Sequence, residues 1–343
     1  MVSHLALLCI SFLFIFPFSS SSSIPIRSEY EVGLLFEGWL VTLNKSYKDS
    51  SEKQKRYEIF KDNLQYIDER NAGNHTFTLG LNVFADITVE EYRATYLGTL
   101  PPSPSLQMVN DETIETYESD DHYFNVTNTP DSIDWRDLGA VTPVENQGKC
   151  FSCWAFTVLA TVEAIHQIKT GDLISLSKQQ LVDCHKKSCG RHYLDQPYEY
   201  IIKNGGIDTE KDYPYEAKIK KCNTTKENNN VVSIDAYKMV AQSNEFALMQ
   251  AVARQPIAVA VEGYGQDFQL YTKGIFTAYC GTAVDHAVTV IGYGTNGNVD
   301  YWLIKNSWGD FWGESGYIRL ERNIQDRDGK CGVAQWPYYP IKN

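Results

Sequence analysis

Residues Gly148–Ile165 read GKCFSCWAFTVLATVEAI, two cysteines three positions apart followed by Trp154 and an apolar run. Four readings compete for this pair: half of a disulfide, a metal clip, a redox couple or a nucleophile. The local pattern favours a helix that opens at the second cysteine. Ser152 is a good N-cap residue, Leu159, Val162, Ile165 and Ile168 recur at helical spacing, and Gly171 supplies a stop. Cys153 then falls in the first turn, where unpaired N–H groups and the helix dipole favour a thiolate. Cys150 falls in the loop before it.

Working outward, residues 1–23 have the form of a secretory signal peptide, an apolar run from Leu5 to Phe18 ahead of a serine tract. Entry into that pathway permits disulfides. Of the eight cysteines, Cys9 would leave with the signal, and the odd number remaining implies one free thiol. The formal charge of -12 argues against a nucleic-acid partner. No later run is long and apolar enough to span a membrane. Asn44, Asn74, Asn125 and Asn223 begin N-glycosylation triplets, which agree with a secretory route.

Three territories follow the signal. Up to about Thr99 the chain is charged and helical in rhythm, with Tyr57, Phe60, Leu64 and Ile67 forming one buried stripe. GLNVFAD, Gly80–Asp86, alternates as a short strand would before another helix. From Leu100 to about Asn125 the chain is proline-rich and then acidic, an exposed linker suited to cleavage. Beyond it, helices are expected from Ser152, over Ser177–Cys184 and over Gln196–Asn204. The second half is strand-rich, in PIAVAVEG, HAVTVIGYG, YWLIKNSW and GYIRLERN. Helices first and strands later give an α+β fold of two lobes with a cleft between them.

A thiol at a helix tip becomes a strong nucleophile only with a basic partner, itself held by a third group. His286, which opens an alternating strand, is the best-placed histidine. Asn306 follows another strand among Trp302, Trp308 and Trp312, where an amide can orient an imidazole away from water. A redox pair would call for a βαβ neighbourhood and a structural zinc site for paired knuckles, and neither is present. His185 and His192, flanking Cys189, read as surface or loop histidines, and His122 lies in the linker. Glu163 and Gln180 read as structural polar groups.

In QGKCFSCWAF, VDHAVTVIGYG and YWLIKNSWG, led by PDSIDWRDLGAVTPVENQG, the chain resembles the papain family of cysteine peptidases. His286 and Asn306 lie roughly 130 and 150 positions after Cys153, as in that family. Glu52, Arg56, Phe60, Asn63, Ile67 and Asn71, then Gly80, Asn82, Phe84 and Asp86, resemble its prodomain signatures. The resemblance implies a helical left lobe and a β-barrel right lobe, preceded by a helical prodomain. It implies 24–125 as inhibitory propeptide and activation linker and 126–343 as the mature peptidase.

By the same resemblance Cys153 is the nucleophile, His286 the base and acid, Asn306 the orienting group, and Gln147 an oxyanion donor beside the Cys153 N–H. No cofactor or metal is implied. The pairing would be Cys150–Cys189, Cys184–Cys222 and Cys280–Cys331, leaving Cys153 free. Spacing alone leaves fifteen connectivities open. The implied partners are protein or peptide substrates, the chain's own propeptide running backwards through the cleft, and cystatin-type inhibitors, with a monomer acting in a vacuole, lysosome or extracellular space. A catalytically weak storage or binding protein is the alternative, and the presence of all four site residues weighs against it.

The chain departs from the family at two places. Phe151 stands where glycine is usual, and Cys189-Gly190-Arg191-His192 replaces Cys-Asn-Gly-Gly on the facing loop. Glycine serves where a backbone must approach closely, so Phe151 and Arg191 should narrow the pocket at the cleaved residue toward glycine. The resemblance implies for the neighbouring pocket an apolar wall of Tyr193, Leu194, Ala260, Val284 and Ala287, and Trp308, beside Asn306, is expected to shape the leaving-group side.

Overall fold

A computed structural model describes residues 27–101 and 129–343. The expected signal peptide, most of the expected linker with His122, and the Asn125 triplet lie outside the described residues.

The N-terminal region is built on α1 (Glu29–Thr42) and α2 (Ser50–Asn71). A capping box between Ser28 and Glu31 satisfies the first N–H groups of α1. Phe36, Trp39 and Leu40 of α1 pack on Phe60 and Leu64 of α2, the stripe that spacing predicts. The strand expected within Gly80–Asp86 instead lies just before it, as β1 (Phe77–Leu79). Asn82 is the reason. Its amide donates to the carbonyls of Gln269 and Tyr271 and accepts from Phe84 N–H, so side-chain bonds replace a ladder there. A second capping box, Thr88 with Glu91, opens α3 (Val89–Tyr96). Arg56 joins α2 to α3 through Glu52 and Glu91.

β1 pairs antiparallel with β5 (Tyr271–Phe276), so the N-terminal region extends the edge of the main sheet. Arg70 and Tyr66 of α2 both reach Asp267, a second fastening to the same lobe.

α4 (Cys153–Thr170) is the central helix. Ser152 takes the N-cap position without capping through its side chain; its hydroxyl meets Tyr215 Oη at 2.5 Å. Gly171 ends the helix in the left-handed conformation, φ 86°. The helix is buried around nearly its whole girth as far as Ile165, not along one stripe. It is enclosed because it packs on α5 (Asp195–Asn204) on one side and on the sheet strands β4 (Ile257–Val261) and β6 (His286–Asn296) on the other. Ala258, Ala260 and Ala287 at that contact let helix and sheet come close. Between α4 and α5, Lys178–Gln180 is helical and Leu181–Lys186 continues as a π-helix.

Besides short helical turns, the chain adds β2 (Ile133–Asp134), β3 (Ala236–Met239), α6 (Glu245–Val252), β7 (Val299–Lys305), β8 (Tyr317–Glu321) and β9 (Tyr338–Ile341). The sheet runs β1-β5-β8-β7-β6-β4-β9-β3, with β2 paired to β6. Its path is open: β1 and β3 are unpaired ends, so the expected closed barrel is corrected to a coiled, open sheet. Disulfides join Cys150 to Cys189, Cys184 to Cys222 and Cys280 to Cys331, and Cys153 is a free thiol.

Candidate active site

Cys153 opens α4 at the boundary between helical lobe and sheet. The backbone N–H groups of Ala287, Gly98 and Trp154 lie near enough to its sulfur to favour the thiolate. Ala287 follows His286, so the thiol lies against the start of β6. His286 Nε2 is 2.7 Å from Asn306 Oδ1, which also accepts the Ser307 N–H at 2.8 Å. Because that oxygen only accepts, Nε2 carries the ring proton and Nδ1 is left free for proton exchange. Nδ1 is buried and has no hydrogen-bond partner among the described residues. Trp308 stacks on the imidazole, centroids 4.4 Å apart and planes 21° from parallel, which covers the His–Asn bond.

Gln147 is fixed at both ends of its amide. Its Oε1 accepts from Ser307 Oγ at 2.8 Å, and its Nε2 donates at 3.0 Å to the carbonyl of Tyr96. The donor that could stabilise an oxyanion thus already holds a carbonyl, one that belongs to the N-terminal region. Ser307 was not among the residues singled out from sequence, and its place directly after Asn306 is the only signal for it.

Tyr96 begins a strap that crosses the cleft. Gly98 O accepts the His192 N–H at 3.1 Å, and Leu100 N–H donates to His192 O at 3.0 Å. Thr99 therefore forms a parallel bridge with His192. On the other wall Thr99 N–H donates to Asp285 O at 3.0 Å. Leu100, expected to begin the exposed linker, is held in this ladder instead. A Cβ on Gly98 would stand 2.6 Å from Phe151 O and 2.9 Å from Phe151 Cα. The strap passes Phe151 only because it presents glycine there.

Burial sets the protonation of the site: Cys153 and His286 are both 0% exposed. Burial pushes the Cys153 thiol up to about 11, against the lowering effect of the three N–H groups. Burial also pushes His286 down to about 4, against the raising effect of the Asn306 bond. A helix tip was expected to favour thiolate; in the buried site desolvation outweighs it, and both groups rest neutral.

Leu194, Ala260 and Ala287 are buried together and Val284 packs on the same cluster. Tyr193 lies outside that cluster, with its ring beside His192 at 5.8 Å. Phe151 is half-buried, whereas Arg191 is exposed, so any narrowing rests on Phe151 first. His185 and His192 are not surface histidines. His192 is 4% exposed, and the two Nε2 atoms are 2.8 Å apart. Cys184, Cys222 and Glu227 come together, but both sulfurs are consumed in a disulfide. Glu163 is structural, held by Thr142, Leu176 N–H and Lys178.

The profile described as papain family cysteine protease matches residues 129–341, and that described as cathepsin propeptide inhibitor domain (I29) matches residues 36–92. The chain belongs to the papain family of cysteine proteases. It is a cysteine endopeptidase with a propeptide inhibitor domain, whose match runs from within α1 through α2 and β1 into α3. Cysteine proteinase RD21A of Arabidopsis thaliana is 48% identical over 322 residues, 92% of this chain and 68% of the relative. Papaya proteinase 4 of Carica papaya is 47% identical over 311 residues, 90% and 87% of the two chains. Among solved structures, a recombinant stem bromelain precursor superposes with a TM-score of 0.83 at 41% identity, covering 91% of this chain and 99% of that one. The proform of the ragweed pollen cysteine protease Amb a 11 also gives 0.83, at 37% identity, over 92% and 96%. Among the described residues no helix is long and apolar enough to cross a membrane.

Proposed function

We propose that Cys153, His286, Asn306 and Gln147 form the hydrolytic site of this protease and that the strap keeps it silent until the prodomain leaves. Once water re-enters, the desolvation that neutralises Cys153 and His286 is relieved. Proton transfer from Sγ to Nδ1 then gives a thiolate–imidazolium pair. The thiolate attacks the peptide carbonyl, with the Gln147 side chain and Cys153 N–H holding the oxyanion. The imidazolium protonates the leaving amine, and water admitted through the same imidazole hydrolyses the thioester. The mature unit spans 126–343, freed by cleavage in the linker, and acts in a secretory compartment such as a vacuole. Cystatin-type inhibitors, which must enter the same cleft, should be hindered.

The observation that carries this reading is the Gln147 amide locked between Ser307 and a prodomain carbonyl. Substrate preference follows from Phe151. A half-buried phenylalanine where the family usually has glycine supports restriction to small residues, glycine foremost, at the cleaved position. A peptide library cleaved by the processed enzyme tests both. Preferred cutting after glycine is expected; efficient cutting after arginine or lysine removes the restriction. No covalent labelling of Cys153 by an epoxide thiol reagent would remove the site assignment.

A further inference from the structure

His192 does two things at once. Its backbone is the rung that holds the strap, accepting from Leu100 and donating to Gly98. Its side chain turns away from the cleft, against Trp154 at 4.8 Å, and meets His185 with Nε2 to Nε2 at 2.8 Å. His185 is aimed inward by the π-helix Leu181–Lys186, whose extra residue per turn rotates it toward α5, where it packs on Tyr200 at 5.1 Å. Two imidazoles at that distance share one proton: one nitrogen donates and the other accepts. A second proton sets N–H against N–H and breaks the bond.

We propose that the His185–His192 pair is a proton-sensitive latch on the cleft rung, holding His192 in place to grip the strap while it carries one shared proton and releasing it when both rings are charged. This rests on the strap being the inhibitory segment. The charged groups facing the pair are Lys186 on its own turn and Glu199 and Lys203 on α5. The two lysines oppose a second proton and Glu199 favours one. Trp154 and Tyr200 contribute rings, Arg191 and Tyr193 flank His192 in sequence, and the strap residues Gly98 to Leu100 are uncharged. Burial pushes His185 down to about 4 and His192 down to about 3.

The latched state therefore binds fewer protons than a released one whose histidines titrate near their ordinary value, about 6.5. Its grip is full above that pH and falls as pH drops toward 4. Ordinary carboxylates titrate below about 4.5, but burial pushes Asp285, whose carbonyl holds the other side of the strap, up to about 6; as pH falls it favours closure, opposite in sign to the histidines. His286 carries the same sign as the pair, and the experiment must separate both.

The full precursor carrying Cys153→Ala, which cannot cut itself, is the material. Hydrogen exchange of the 94–101 segment, corrected for intrinsic pH dependence, is followed from pH 7 to 4.5, with and without His185→Gln. Glutamine accepts a bond from charged His192, so the variant holds the rung without repulsion. Protection should fall at least tenfold across the window with the histidine pair, and at least tenfold less with His185→Gln. Superimposable profiles overturn the latch. Histidine NMR of the precursor itself, needing no change at 185, should show one shared proton persisting at pH 5.5. Both rings charged near pH 6.5 with the strap still protected overturns it equally. A strap unprotected at pH 7 overturns instead the inhibitory reading beneath it.

Discussion

Gly98→Ala in the precursor tests the fit of strap to cleft. The added Cβ would stand 2.6 Å from Phe151 O, 2.8 Å from its carbonyl carbon and 2.9 Å from its Cα. These are backbone atoms, and they are anchored: Phe151 N–H donates to Cys189 O at 3.1 Å, and the disulfide between Cys150 and Cys189 closes the same loop. Phe151 therefore cannot yield cheaply, and the strap must lift. Overpacking of this kind costs about 1–3 kcal/mol. Lifting also loosens the Gln147 bond to Tyr96 and the His192 bonds to Gly98 and Leu100, each worth about 0.5–1.5 kcal/mol. Losing about 1.5–3 kcal/mol weakens the closed state about 10- to 150-fold. The assay is the rate at which an epoxide thiol reagent labels Cys153 in unprocessed precursor at neutral pH. It should rise about 10- to 150-fold, while the mature enzyme, which lacks Gly98, is unchanged. An alanine precursor that labels no faster refutes the claim that close approach at Phe151 makes glycine necessary.

A Cys153→Ala precursor, purified alone, should not process itself, and a mature-sized band on a gel would contradict the nucleophile assignment. Gln147→Ala in the processed enzyme should lower kcat about a hundred- to a thousandfold with a smaller change in KM, the mark of a bond made at the oxyanion. Lys178, 1% exposed, lies 2.5 Å from Glu145 and 3.1 Å from Glu163. Lys178→Met leaves a buried carboxylate unpaired and should cost about 3–5 kcal/mol, read as a fall in the denaturation midpoint. For pH, the strap-covered site holds His286 neutral down to about 4. Closure is stabilised above the ordinary histidine value of about 6.5 and loses that contribution as pH falls toward 4. Conversion of precursor should accelerate through that interval, and a rate flat from pH 7 to 4 would contradict it.

Much of the molecule was written in its local patterns. The α2 stripe, the start of α4 at Cys153 and its stop at Gly171, and the opening of β6 at His286 follow from spacing, caps and alternation. The motifs around Cys153, His286 and Asn306 carry the family. The misplaced strand near Gly80 shows where such reading fails, because the bonds Asn82 makes lead to residues nearly two hundred positions away. Periodicity reports which face is apolar and nothing about a side chain's distant partner.

The chemistry proposed for residue 153 was therefore legible in the sequence: residue types, their order and an odd count of cysteines. Tertiary structure alone decided its state. Sequence spacing favours an ionised thiol at a helix tip, yet the fold buries Cys153 and His286 completely, and desolvation exceeds what the neighbouring N–H groups return. The same is true of His185 and His192, seven positions apart and read from the sequence as surface or loop histidines. Only the π-helix and the packing against Trp154 and Tyr200 bring their nitrogens into contact.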